Sequence, residues 1–307
     1  MKYGITTSVV TSPGLVELSE QEYLSISSAK RCLLEALFIE QKFEVLIENY
    51  FDYETELLSL STRFMLFPIV TISQMDRESL LINRRLANLL SSGKTYWDQS
   101  QRHISNIYRR FPAKIQAVKD EKKHQNSVYI GLRAMDFLRD YAQHYDFPIH
   151  MIQRSFTRRN PSDDKMLVTL TPKLDIAELE KDRDFKKFDL EILKLQGNEI
   201  EIKPLMLQYI ESMFRIHMKI RELIHADVLL WEEQITHTIE LFKNRFGQEA
   251  SILGLAIITE SEDGIRQETV DIFTDFLDWR HELETKNSFL EQLSSLYVSS
   301  ETSNDQE

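Results

Sequence analysis

Cysteine is nearly missing from this chain of 307 residues, in which Cys32 is the single example. One thiol cannot build a disulfide framework or a cysteine-rich zinc site, and such scarcity is typical of proteins in a reducing cytosol. Long apolar runs are missing as well, since even the longest, such as residues 65–70, are far too short to cross a bilayer. The first residues also lack a secretory signal pattern. We therefore expect a cytoplasmic protein with no membrane-spanning segment.

Glycine and proline are scarce, with 8 and 7 residues, so the chain has few of the residues that most often interrupt helices. Apolar residues make up 42% of the chain, which is enough to bury a core in one large domain or two small ones. Their spacing is mostly helical. The sequence therefore predicts a mainly α protein, an antiparallel helical bundle with long helices and a few short β-strands.

The apolar periodicity and the breaker residues predict where these elements lie. Helices are predicted after Ser19 and over approximately residues 27–57, 77–108, 112–145, 175–188, 204–246 and 270–298, and strands over 5–10, 166–170 and 252–259. The cluster NPSDD at residues 160–164 is the best candidate for a domain boundary. We predict a helical bundle over residues 1–160 and a helical C-terminal region with short strands over residues 161–307, which regulates the bundle or extends a dimer.

Basic residues are outnumbered, at 37 Lys and Arg against 49 Asp and Glu, and the net charge of −12 argues against a general nucleic-acid binder. The balance is uneven, because residues 84–165 hold 16 basic and 8 acidic residues, a net charge of +8. The rest of the chain therefore carries −20. Each basic cluster taken alone is typical of a solvated helix face, but together they fit a centre that meets a polyanion.

The densest group of chemically versatile residues is RDYAQH, residues 139–144, at the end of a predicted helix. Four residues separate Arg139 from His144, and the five steps from one to the other place them about 140° apart around the helix. Asp140 lies one turn before His144, where it is predicted to orient the imidazole. Arg139 also falls in an otherwise apolar seam, and a charge in such a seam requires a partner or a ligand.

An arginine and a histidine suit RNA cleavage by attack of a ribose 2′-hydroxyl on its own phosphate. Histidine performs the proton transfers, and a guanidinium binds two phosphate oxygens at once. Because Arg139 and His144 point apart on one helix, we expect two chains to share a site to which each supplies both residues. The alternative is structural: Arg139 pairs with Asp136, and His144 only ends the helix.

The arrangement of Arg139 and His144, with a polar residue after the arginine, resembles the R-x4-6-H motif of the HEPN superfamily (higher eukaryote and prokaryote nucleotide-binding). The stretches FEVLIENY at 43–50, NRRLANLL at 83–90 and YWDQ at 96–99 are similar to a group of uncharacterised bacterial HEPN-like proteins. The resemblance covers roughly residues 40–150. It implies a dimerising helical bundle and, in many members, metal-independent endoribonuclease activity in toxin–antitoxin or phage-defence systems. Other members are non-catalytic binders.

On this hypothesis His144 is the general acid and base, Arg139 the phosphate clamp and Asp140 the orienting residue. Arginines in the basic clusters are predicted to bind the RNA backbone: Arg84, Arg85, Arg102, Arg109, Arg110, Arg154, Arg158 and Arg159. No metal or cofactor is expected. The expected partners are RNA, a second copy of the chain and, for regulation, an antitoxin or another regulatory protein. The competing hypothesis is a non-catalytic interaction or sensor module in a defence complex.

Other histidines and the cysteine receive less specific interpretations. Two E-x-x-H sequences, ending at His124 and His225, have the spacing of di-iron helical bundles, but their polar surroundings favour exposed charged faces. His103, next to Arg102, is expected to form an exposed polar pair, although it is also able to contact phosphate. Cys32 is expected to be a small core residue and not a nucleophile.

Overall fold

The computed structural model describes residues 1–7, 14–158, 166–181, 187–248 and 250–296, and it confirms a mainly α fold with small antiparallel sheets. Eight α-helices lie in this part of the chain: α1 Glu20–Leu66, α2 Ile72–Ile107, α3 Pro112–Val128, α4 Ile130–His144, α5 Ile176–Leu179, α6 Lys187–Lys194, α7 Ile202–Phe246 and α8 Asp275–Lys286. The strands are β1 Lys2–Thr7, β2 Val16–Leu18, β3 Met151–Arg158, β4 Met166–Asp175, β5 Glu199–Glu201, β6 Leu255–Glu260 and β7 Arg266–Asp271.

The chain forms two compact units, and both halves of the sequence contribute to each. Unit 1 contains the described residues of Met1–Lys42, Gln99–Gln116 and Lys219–Ser288. Unit 2 contains Phe43–Asp98, the described residues of Ala117–Met218, and those from Phe289 onward. The three longest helices, α1, α2 and α7, therefore each supply one segment to unit 1 and one to unit 2. The breaker cluster at residues 160–164 lies outside the described residues.

Unit 1 holds a four-stranded antiparallel sheet in the order β2-β1-β6-β7. The fully buried Ile5 and Ile257 face each other across β1 and β6, which places the inner strands in the core. A tight turn links β6 to β7, where Gly264 has φ +75° and its N–H donates to the Ser261 carbonyl at 3.0 Å. The strand predicted at residues 5–10 is confirmed for 5–7, and the remainder lies outside the described residues.

The last predicted helix, over residues 270–298, is wrong at both ends. Its first residues belong to β7, in which Val270 pairs with Ile257 of β6, and the helix α8 begins only at Asp275. The α8 helix ends at Lys286, and Asn287 after it is buried. The apolar spacing that suggested one long helix therefore comes from an edge strand followed by a short helix.

The first long helix is continuous where two helices were predicted, and it extends to Leu66, shortly before Pro68. The helical spacing of apolar residues in this segment predicts that Phe38 and Phe51 face the core, but they are 39% and 61% exposed. Leu46 and Tyr53 of the same helix are fully buried instead. Leu33, Leu37 and Phe43 of the predicted face are buried, so the prediction is confirmed for these positions and wrong for Phe38 and Phe51.

The helix predicted over residues 112–145 is broken into α3 and α4. Tyr129 between them is extended, with φ −115° and ψ 115°. Two residues later, the Gly131 N–H donates to Gln208 Oε1 of α7 at 3.0 Å, and an added Cβ would lie 2.2 Å from the Leu205 carbonyl oxygen. This close approach requires glycine, and the change of direction at Tyr129 brings α4 against α7 within unit 2.

Unit 2 contains a three-stranded antiparallel sheet in the order β3-β4-β5. The strand predicted at residues 166–170 is confirmed and continues to Asp175 as β4. Its partner β3 carries the basic cluster around Arg154 and was not predicted. The charged helix predicted over 175–188 is replaced by the short helices α5 and α6, between which residues 182–186 lie outside the described part of the chain.

Candidate functional site

Arg139 lies on α4 with its guanidinium partly buried in unit 2, where its side chain is 23% exposed. Its Nη1 donates to Asp140 Oδ1 at 2.6 Å and its Nη2 to Gln143 Oε1 at 2.8 Å. Its Nε is buried without a hydrogen-bond partner among the described residues. Asp136, the structural partner considered from the sequence, pairs with Lys122 at 3.0 Å instead. The arginine is thus held at the helix surface by two exposed neighbours.

The Arg139 side chain is only partly exposed because it lies next to the buried side of α4. Met135 and Leu132, one and two turns earlier in the same seam, are fully buried. Tyr209 of α7 is also buried, and burial raises the pKa of its hydroxyl, with Asp136 raising it further and Arg139 lowering it. The Arg139 guanidinium is therefore close enough to the edge of the unit 2 core to lower the pKa of the Tyr209 hydroxyl.

His144 is the last residue of α4, and its side chain is exposed. It forms no hydrogen bond or ion pair with any residue that the structure describes. Asp140, which was expected to orient it, bonds to Arg139 instead. Arg139 and His144 consequently do not meet within one chain, as their separation of about 140° around the helix requires.

A second histidine lies beside the same helix. His150 Nε2 is 3.4 Å from the Tyr141 hydroxyl, and the Asp175 N–H donates to His150 Nδ1 at 3.1 Å. Burial lowers the pKa of His150, and the nearby carboxylates of Glu178, Asp175 and Asp146 only partly oppose this effect. Because its Nδ1 must accept the Asp175 hydrogen bond, His150 is held neutral and connects α4 to the start of β4-β5 pairing.

Two arginines predicted to bind RNA in unit 2 form ion pairs with carboxylates of their own chain. Arg85 bonds to Asp52 at 2.8 Å and to Glu56 at 3.2 Å. Arg154 pairs with Glu78, and both of these side chains are mostly buried. A phosphate would have to displace these carboxylates before either arginine could bind it.

The remaining predicted RNA-binding arginines have different surroundings. Arg84 and Arg158 in unit 2 are exposed and form no ion pair with a described residue. Arg159 lies outside the described residues. Three others belong to unit 1 and are exposed without an ion pair to the described part of the chain: Arg102, Arg109 and Arg110. The basic centre of the sequence is therefore divided between the two units.

The E-x-x-H sequences do not assemble a metal site among the described residues, in which no group of three or more His, Cys, Asp or Glu has metal-binding geometry. Glu222 pairs with Lys219 at 2.9 Å, and Glu121 accepts a hydrogen bond from Gln125 at 2.7 Å. Cys32 is a buried free thiol whose pKa is raised by burial, as expected of a core residue.

His103 differs from its expected environment, because it is buried and not exposed. Only 4% of the residue is accessible, and its Nδ1 is bonded to Glu35 Oε2 of α1. The pair joins two helices and is separated by 68 residues in sequence. Sequence spacing carries no sign of it, since either residue alone resembles an ordinary polar position of a helix.

Comparison with models of protein families, with curated proteins and with solved structures finds no match to this chain. Among its described helices, none combines the length and the apolar character that crossing a membrane requires.

Proposed function

We propose that this protein is a metal-independent endoribonuclease of a bacterial toxin or phage-defence system, which acts in the cytoplasm at a site shared by two chains. The observation that carries the proposal is the state of His144. It is an exposed imidazole at the end of α4, with no partner among the described residues, and it lies five positions after the partly buried Arg139. A histidine in this state is free to transfer protons to and from a bound RNA.

Arg139 is suited to bind the reacting phosphate. Both of its present partners, Asp140 and Gln143, are exposed side chains of the same helix, and such contacts cost little to exchange. A phosphate that replaces Asp140 gains the bidentate geometry that a guanidinium favours. Exposed Arg84 in the same unit would then contact the RNA backbone.

The basic test is cleavage of total RNA and transfer RNA in EDTA. We expect Arg139→Ala and His144→Ala to abolish cleavage, while His124→Ala, an exposed histidine of α3 in the same unit, retains wild-type activity. Thermal unfolding of each variant checks that the fold is intact. Wild-type cleavage by both Arg139→Ala and His144→Ala would disprove the proposal.

A mixing experiment tests whether two chains share the site. If each site takes Arg139 from one chain and His144 from the other, a mixture of Arg139→Ala and His144→Ala proteins contains heterodimers with one intact site. Random pairing would restore about a quarter of the wild-type activity. An inactive mixture that demonstrably exchanges subunits would contradict this division of Arg139 and His144 between the two chains.

The second candidate is a non-catalytic interaction or sensor module in a defence complex. It is favoured by the internal pairing of Arg139, Arg85 and Arg154, since a nuclease would be expected to keep more of its cations available. An absence of RNA cleavage together with unchanged RNA binding in His144→Ala would support this candidate.

A further inference from the structure

A second group of titratable residues lies in unit 1, in a cleft that the Arg139–His144 hypothesis does not use. The Glu35–His103 cleft, as we name it, has a volume of about 370 Å³ and is formed by segments of α1 and α2. The lining residues that matter here are Glu35, Phe38, Lys42, Arg102, His103 and Asn106. Its volume is at the lower end of the range for small-molecule sites.

The histidine of this cleft is positioned by a carboxylate. Glu35 Oε2 contacts His103 Nδ1, and Glu35 Oε1 accepts a hydrogen bond from Asn106 Nδ2 at 2.9 Å. Both oxygens of Glu35 are thus occupied, and the imidazole is held in one orientation. His103 Nε2 forms no hydrogen bond with a described residue, so it is the ring atom left for a ligand.

Two cations line the same cleft without a partner of their own. Neither Lys42 nor Arg102 forms a hydrogen bond or ion pair with any residue in the described part of the chain. Glu35 is the one carboxylate in the lining, and it already bonds to His103 and Asn106. Lys42 and Arg102 therefore give the cleft a local excess of positive charge. The chain as a whole is acidic, with 49 acidic residues against 37 basic ones.

One wall of the cleft is aromatic. Phe38 is 39% exposed, and its ring centroid lies 5.6 Å from that of His103. An exposed ring next to cationic and imidazole donors offers an apolar surface to the organic part of a ligand, while the donors take its charged part.

From this arrangement we propose that the Glu35–His103 cleft binds a small phosphate monoester. Arg102 and Lys42 contact the phosphate oxygens, His103 donates from Nε2 to the phosphate when its ring is protonated, and Phe38 contacts the organic group. Glu35 acts through His103, as a positioning residue. All these residues belong to unit 1, so this binding site does not depend on the RNA-cleaving function proposed for α4 in unit 2.

Isothermal titration of the full chain with inorganic phosphate, methyl phosphate and phenyl phosphate tests the proposal. We expect phenyl phosphate to bind most tightly, and Arg102→Glu to weaken its binding by about tenfold or more. The matched control is Arg245→Glu, which reverses an exposed arginine of unit 1 outside the cleft and should leave the affinity within about twofold. Absence of binding by all three compounds, or equal affinities in wild type and Arg102→Glu, would overturn the proposal.

Phe38→Ala tests the position of the organic group. It should weaken phenyl phosphate and leave methyl phosphate unchanged, because only the aromatic ester reaches the Phe38 ring. Equal weakening of both esters would overturn the assignment of Phe38. Both substitutions, Arg102→Glu and Phe38→Ala, are at exposed positions. Comparing their urea or thermal unfolding midpoints with that of the wild type distinguishes a loss of binding from a loss of folding.

Discussion

Two regions of this molecule place a histidine near arginine in opposite ways. At the end of α4 in unit 2, His144 is exposed and lacks a described partner, while Arg139 is bonded to its neighbours. In the Glu35–His103 cleft of unit 1, the histidine is buried and bonded, while Arg102 is exposed and unpaired among the described residues. A short sequence motif is enough to place Arg139 and His144 on one helix. The imidazole of His103, in contrast, is oriented by Glu35, a carboxylate on a different helix.

The largest expected effect concerns the helix that carries Glu35 and Lys42. Glu40 of α1, only 1% exposed, accepts two hydrogen bonds from Arg221, at 3.0 and 2.6 Å. Arg221→Met removes these bonds from a buried carboxylate and should lower the free energy of unfolding by about 3–5 kcal/mol in urea denaturation. Lys219→Met, which breaks an exposed pair with Glu222, should cost under about 1 kcal/mol. Similar losses in both variants would show that burial of Glu40 is unimportant.

The next effect concerns the support of α4. A Cβ at Gly131 would meet the Leu205 carbonyl oxygen at 2.2 Å and Gln208 Cβ at 2.6 Å. Gly131→Ala should therefore lower the free energy of unfolding by about 1–3 kcal/mol, although alanine is the better helix former. Lys119→Ala on the exposed face of α3 serves as the control and should change it by less than about 0.5 kcal/mol. A stabilised Gly131→Ala protein would contradict the packing of α4 on α7.

Alanine substitution of the two histidines compares the regions directly. His103→Ala leaves Oε2 of the mostly buried Glu35 without its partner and should cost about 1–3 kcal/mol of unfolding free energy. His144→Ala removes an exposed side chain and should cost less than about 0.5 kcal/mol. Both values come from urea denaturation. If the two losses are equal, the environments that we assign to these histidines are wrong.

The smallest effect is a pH dependence next to α4. Burial lowers the pKa of His150 below its ordinary 6.5, so the unfolded chain takes up a proton at this residue more readily than the folded one. The contribution of His150 to stability is complete above pH 6.5 and is lost as the pH falls through the folded pKa. Urea denaturation from pH 7.5 to 5 should show this loss in the wild type and a flatter profile in His150→Gln. Parallel profiles would argue against a neutral, half-buried His150.

Much of the helical architecture is predictable from the sequence, because a buried helix face repeats with a regular period. The predicted start near Pro204 and end before Gly247 match α7, and Gly247 has φ +104° as a C-terminal cap requires. The edge strands β3 and β7 were missed. Their polar residues do not alternate clearly with apolar ones, and they become strands through pairing with β4 and β6.

The break at Tyr129 escaped prediction for a related reason. Helix propensity and apolar spacing favour continuation from α3 into α4, and no proline intervenes. The break is favoured by the contact of Gly131 with Leu205 and Gln208, which are more than 70 residues away in the chain. Local sequence carries the helix-forming tendency of each segment but not the partner against which that segment packs.

The candidate sites also divide into features that the sequence predicts and features that only the fold decides. The sequence alone determined that Arg139, Asp140 and His144 share one helix, and that basic residues concentrate between positions 84 and 165. Only the tertiary structure decided that Asp140 bonds to Arg139, that Arg85 and Arg154 pair internally, and that Glu35 holds His103. The physical reason is range: helical periodicity acts over one or two turns, whereas burial and ion pairing are settled between residues that are distant in the chain and meet only when it folds.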